Sequence, residues 1–142
     1  MKDITLKITG RQRFKDVEED QMEFVTDGRL YLKNDAVYLI YDESEVSGMK
    51  GCTTTIKVKN DSVKMRRSGK AGFSSEMYFE KGERYVSCYD TPFGRMEVEM
   101  LTDWVNNNID TQTLTGSIDI GYSICLDGAA EGKNRIRIEI MQ

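Results

Sequence analysis

Apolar and polar residues alternate along most of this chain. Ile4, Leu6 and Ile8 share one parity, and polar residues stand between them. The same two-residue period carries Met22, Phe24, Thr26, Gly28, Leu30 and Leu32, then Val37, Leu39 and Tyr41. It returns in Cys52, Thr54, Ile56 and Val58, in Val63 and Met65, in Phe73, Met77 and Phe79, and in Met96, Val98 and Met100. Ile118, Ile120, Tyr122, Ile124 and Leu126 make the longest run, and Ile136, Ile138 and Ile140 close the chain. Strict alternation is the pattern of a strand with one buried and one wet face. Its register puts Ile118, Ile120, Tyr122, Ile124 and Leu126 inside, and Asp119, Gly121 and Ser123 toward water.

Turn formers punctuate the runs: Asn34-Asp35, Asn60-Asp61, Lys81-Gly82, the stretch Asp90 to Gly94 around the single proline Pro92, and Asp127-Gly128. Tight turns between neighbouring strands imply antiparallel pairing. Helix signal is thin: 101–110 reads as one irregular turn around Trp104, and Glu43–Gly51 as a loop. About eight to ten such strands can cover their apolar faces as a sandwich or by closing into a barrel, and only closure removes the edges. Short links in near-continuous succession favour an all-β, antiparallel up-and-down barrel over residues 1–142 as a single domain.

Composition narrows the chemistry. The chain has 142 residues, with 39% hydrophobic and 31% charged side chains and a net charge of -4. Mild acidity gives no electrostatic reason to expect nucleic acid or an anionic membrane as partner. Lysines and arginines at 57, 59, 64, 66 and 67 do cluster on two adjacent strands, which reads as a solvated outer face. The absence of histidine removes Ser-His and Cys-His pairs and His-ligated zinc. With no phosphate loop and no ligand cluster of metal spacing, no cofactor is expected and an enzyme is disfavoured. Cys52, Cys88 and Cys125 are widely spaced and odd in number. They read as free thiols of a reducing, cytoplasmic protein. The N-terminal alternation offers neither the apolar stretch of a secretory signal nor that of a membrane helix.

Polar residues on the apolar parity are the candidate site. Arg67 follows Val63 and Met65, whereas Arg66 shares its face with Lys64 and Ser68. A guanidinium inside a barrel needs a carboxylate or a ligand anion; the other reading is that it extends out of the barrel mouth. Glu43 and Glu45 continue the parity of Tyr41 and can supply the counter-charge. Thr54 is the one hydroxyl of Thr53–Thr55 on the inner parity. Met77 and Phe79 add a flexible thioether and an aromatic ring to the inner wall, and Tyr89 is ambiguous between the two faces.

The stretch from Thr26 to Gly94 resembles the DUF1934 family of small bacterial proteins, through DGRLYLKNDAVYLIYDESE, GCTTTIKVK, VKMRRSG, MYFEKG and YDTPFG. GSIDIGYSICLDG and the terminal NRIRIEI fit the same pattern. The resemblance implies a lipocalin-like, calycin-type β-barrel and assigns no activity. Cys52 departs from it, standing where a small polar residue such as threonine is expected. Two functions follow from such a barrel. One is binding of a small amphipathic or anionic ligand inside, on Arg67, Glu43, Glu45, Tyr41, Thr54, Met77, Phe79 and Tyr89. The other is a structural or interaction module whose lumen is filled by Phe24, Tyr41, Phe79 and Tyr122. A void of a few hundred Å³ favours the first, a packed lumen the second.

Overall fold

A computed structural model describes residues 1–14, 20–44, 50–69, 74–91, 94–126 and 130–141. Ten strands account for nearly all of them: β1 (Lys2–Phe14), β2 (Asp20–Lys33), β3 (Ala36–Asp42), β4 (Cys52–Lys59), β5 (Ser62–Gly69), β6 (Ser74–Glu80), β7 (Arg84–Thr91), β8 (Gly94–Asp110), β9 (Thr115–Leu126) and β10 (Ala130–Met141). Every pairing is antiparallel, and the order around the sheet is β6-β5-β4-β3-β2-β1-β10-β9-β8-β7. Each strand except β6 and β7 is therefore flanked on both sides. The β1–β10 ladder, from Thr5 opposite Met141 to Phe14 opposite Gly132, joins the two ends of the chain and rolls the sheet into a nearly closed barrel. Among the described residues there is no helix, and so none long and apolar enough to cross a membrane.

The inner face follows the two-residue period. Ile4, Leu6, Leu30, Leu39, Ile56, Val58, Val63, Met65, Phe79, Met100, Ile118, Ile120 and Ile138 are all buried in one cluster. The β2–β3 hairpin turns on Asn34 and Asp35, both at positive φ (51° and 63°), a two-residue turn whose twist matches that of the strands it joins. In the longest run, Ile118 and Ile120 have no exposed surface and Tyr122 little, while Ile124 packs against the cluster's edge. The side chain of Leu126 lies outside the described residues.

Two expectations need correction. Residues 101–110 are not a helical turn but the second half of β8. The register slips between Thr102, opposite Tyr122, and Trp104, opposite Gly121, so Asp103 is an extra residue, a β-bulge. The bulge moves the buried positions from even numbers (Val98, Met100, Thr102) to odd (Val105), which breaks the alternation that marks a strand. Asp119 and Gly121 do lie on the outer parity, yet they do not simply face water. The Trp104 ring lies over Gly121, so closely that a Cβ there would overlap it at 2.3 Å. Asp119 is 8% exposed because Arg135 grips both its oxygens, at 2.9 and 2.5 Å. The hydrogen bonds from Arg135 hold the Asp119 carboxyl below its ordinary range, against the opposing effect of burial.

The seam lies between β6 and β7. The link between them is stitched to the β8 bulge: Gly82 N donates to Thr102 O (3.0 Å) and Thr102 N to Glu83 O (3.2 Å). Inside, the Phe79 ring from edge strand β6 meets Tyr122 of β9 with centroids 4.8 Å apart. If this contact closes the seam, Phe79→Ala lowers stability by about 3–5 kcal/mol, the cost of a large aromatic deletion in a core. Urea melts check this, and a loss below about 1 kcal/mol contradicts a closed, packed seam.

Candidate functional site

Strands β1, β3, β5, β7 and β9 run toward the same end of the barrel, so Gln12, Glu43 and Arg67 all lie near it. A cavity of about 350 Å³ occupies the lumen there. Its apolar wall includes Ile8, Phe24, Met65, Met77, Tyr122 and Ile138, and its rim carries the exposed Arg11, Gln12, Asp20 and Met22.

One corner of the cavity is polar, and the ladder explains how. Tyr41 on β3 stands opposite Thr54 on β4, which stands opposite Arg67 on β5. These three inner-parity positions form one row across three strands. Glu43, one pleat beyond Tyr41, is anchored by its backbone N–H to Cys52 O at 2.8 Å. The side chains then interlock. Thr54 Oγ1 donates to Glu43 Oε1 at 2.6 Å. Arg67 Nε donates to Thr54 Oγ1 at 3.3 Å, and its Nη2 lies 3.3 Å from the same Glu43 oxygen. The Tyr41 phenol also hydrogen-bonds Glu43. The Glu43 side chain is 1% exposed and that of Arg67 24%, so the carboxylate is the more deeply buried of the two, and both line the cavity.

Electrostatics follow from that placement. Burial raises the Tyr41 phenol well above its ordinary value, and the charge and hydrogen bond of Glu43 raise it further; Arg67 and Thr54 oppose the shift but do not cancel it. The contacts to this deep carboxylate converge on one oxygen, Glu43 Oε1, which both Thr54 Oγ1 and Arg67 Nη2 approach. The corner as a whole is charge-balanced. It offers the remaining N–H donors of the guanidinium fork, of which Thr54 and Glu43 take two among the described residues.

The structure thus joins Tyr41, Glu43, Thr54 and Arg67 into one cluster and places Met77 on the cavity wall beside them. Phe79 is fully buried beneath, and it does not line the cavity. Glu45 and the Tyr89 side chain lie outside the described residues; the Tyr89 backbone stands on β7 opposite Met96. Three further features of the cavity were not singled out as site residues from the sequence. Tyr122 and Ile138 complete the far wall, and Gly10, on the inner parity of β1, leaves room there. Gly10 was legible as a gap in the series Ile4, Leu6, Ile8. Asn134 of β10 also lines the cavity, with its amide nitrogen buried and without a hydrogen-bond partner among the described residues. Among the described residues, no three His, Cys, Asp or Glu side chains gather as metal ligands do.

The comparisons agree with this architecture. The model of a domain of unknown function, DUF1934, matches residues 6–138. The uncharacterized beta-barrel protein YwiB of Bacillus subtilis (strain 168) is 29% identical over 110 residues, which is 77% of this chain and 72% of that protein. The crystal structure of ywiB protein from Bacillus subtilis superposes with a TM-score of 0.64 at 21% identity, over 96% of this chain and 92% of that one.

Two outcomes test the cluster. Arg67→Met strands a buried carboxylate and costs about 3 kcal/mol, whereas adding Glu43→Leu to it recovers most of the loss, as buried pairs replaced whole by apolar groups do. A loss below 1 kcal/mol for Arg67→Met in a denaturant melt contradicts a buried pair. Tyr41 gives a pH signature. Its phenol is an acid with a raised folded pKa, so its contribution to stability is full below about pH 10, where the unfolded phenol ionises, and is lost as pH rises beyond that. Absorbance titration at alkaline pH, compared with Tyr41→Phe, shows Tyr41 ionising only with unfolding; a Tyr41 step near its ordinary value in the folded protein contradicts the geometry.

Proposed function

The chain belongs to the DUF1934 family, and from its barrel we propose that this member binds a small amphipathic molecule in the lumen. The observation that carries this reading is the cavity of about 350 Å³, apolar on most of its wall and hydrogen-bonding at one corner. A concave apolar site with a few convergent polar groups is the usual form of a small-molecule pocket, and this volume lies at its small end. Phe24, Tyr41, Phe79 and Tyr122 leave that space open, which supports the reading over a barrel filled by its own side chains. Three thioethers, Met22, Met65 and Met77, border the space and can adjust to an occupant.

The corner favours an uncharged head group. Glu43 already neutralises Arg67. A ligand carboxylate has to compete with Glu43 for the guanidinium and lie beside a buried negative charge. An amide or carbonyl oxygen accepts from Arg67 without that repulsion. A ligand ammonium finds like charge. The work of the site is then binding and shielding, in the manner of lipocalin-like barrels, and we assign no catalysis to it. Charged side chains such as Lys7, Glu23, Lys64, Glu76, Asp119, Arg135 and Arg137 stand along the outer face. With the free thiols of Cys52 and Cys125, they fit an aqueous, reducing compartment such as the cytoplasm.

Calorimetric titration with octanamide, octanoate and octylamine tests the proposal. The expected order is octanamide tightest, octanoate weaker, and octylamine without measurable binding. Arg67→Met with Glu43→Leu loses octanamide by about tenfold or more, since a hydrogen bond to a charged donor is removed. Octylamine binding as well as octanamide, or no binding of any of the three, overturns the proposal.

A further inference from the structure

The inner parity of β1 reads Ile4, Leu6, Ile8, Gly10 and Gln12. The first three are buried and fill the lower lumen. At Gly10 the filling stops: a Cβ built there meets no atom within 4 Å. Backbone geometry does not require this glycine, because its φ is not among the left-handed ones. It stands opposite Met22 on β2 and Ile136 on β10, and all three line the cavity. In the strand order β5 lies four places from β1, nearly across a ring of ten, so Gly10 and Arg67 sit on facing walls.

We propose that Gly10 is the specificity-determining position of this barrel: the apolar end of the ligand lies over Gly10, between Ile8, Ile136 and Met22, and the room left there sets the longest ligand accepted. This rests on the reading of the lumen as a binding site for an amphipathic molecule and adds its orientation and its length limit. The polar head is fixed at Arg67, so the apolar chain crosses the lumen toward β1. A side chain at position 10 then shortens what fits without touching the head group. Each excluded methylene weakens binding about fourfold, the worth of one buried CH₂.

Affinities of hexanamide, octanamide and decanamide for the wild-type chain, Gly10→Ala and Gly10→Leu test this. Wild type is expected to bind more tightly as the chain lengthens. Gly10→Leu is expected to fold with an unchanged or raised melting temperature, to keep hexanamide, and to lose octanamide and decanamide by at least about tenfold. Gly10→Ala is expected to weaken decanamide alone. If Gly10→Leu and Gly10→Ala bind the whole series as wild type does, the ligand does not lie over Gly10 and the proposal is overturned while the binding function stands. Equal loss of all three amides also overturns it, because a length limit spares the shortest. Wild type binding none of the amides removes the binding function itself.

Discussion

Ten strands with one apolar face each must turn those faces toward one another, and the ladder between the first and last strands makes that possible here. Without the β1–β10 pairing the sheet has two separate halves, β6 to β1 and β10 to β7, each with an exposed apolar surface. With it, both halves share one interior, and the remaining seam between β6 and β7 is closed by the Phe79–Tyr122 contact and by the link bonded to the β8 bulge. The inner residues pack tightly toward the end that holds both termini. Toward the other end they do not, since a ten-stranded barrel is wider than the eight strands whose side chains just fill a lumen.

That excess width has two consequences, and they explain each other. A wide interior can hold a salt bridge, because Arg67, Thr54 and Tyr41 lie side by side across three strands with Glu43 one pleat beyond. The same width leaves a void opposite them, where Gly10 adds nothing to the wall. A buried ion pair contributes little net stability compared with well-packed apolar groups, so packing alone does not account for its place beside a void. The outer face carries its own pair, Asp119 with Arg135, which ties β9 to β10.

Much of this was legible in the chain because strand side chains alternate without exception where no bulge intervenes. Arg67 could be placed inside by its parity with Val63 and Met65, and Glu43 by its parity with Tyr41; their contact then follows from the hairpin order β3-β4-β5. Parity fails where the backbone adds a residue. One inserted position, Asp103, made the second half of β8 unreadable and hid Trp104 as the cover of Gly121. It also cannot distinguish a residue that lines a cavity from one that fills the floor beneath it, which is why Phe79 read as part of the site. Gly10 was passed over for a related reason: it shows only as a gap in the series Ile4, Leu6, Ile8, and a search for chemistry-bearing side chains does not read gaps.

The central claim is that the lumen holds an accessible apolar space between Gly10 and the Arg67 corner. Xenon enters such spaces without needing a head group, and the apolar walls of Ile8, Met65, Met77 and Ile138 give it dispersion contacts. A crystal of this protein under xenon pressure measures that space directly. The account predicts xenon between Ile8, Gly10 and Ile136. A lumen that takes up no xenon, with side chains closed over Gly10, contradicts it.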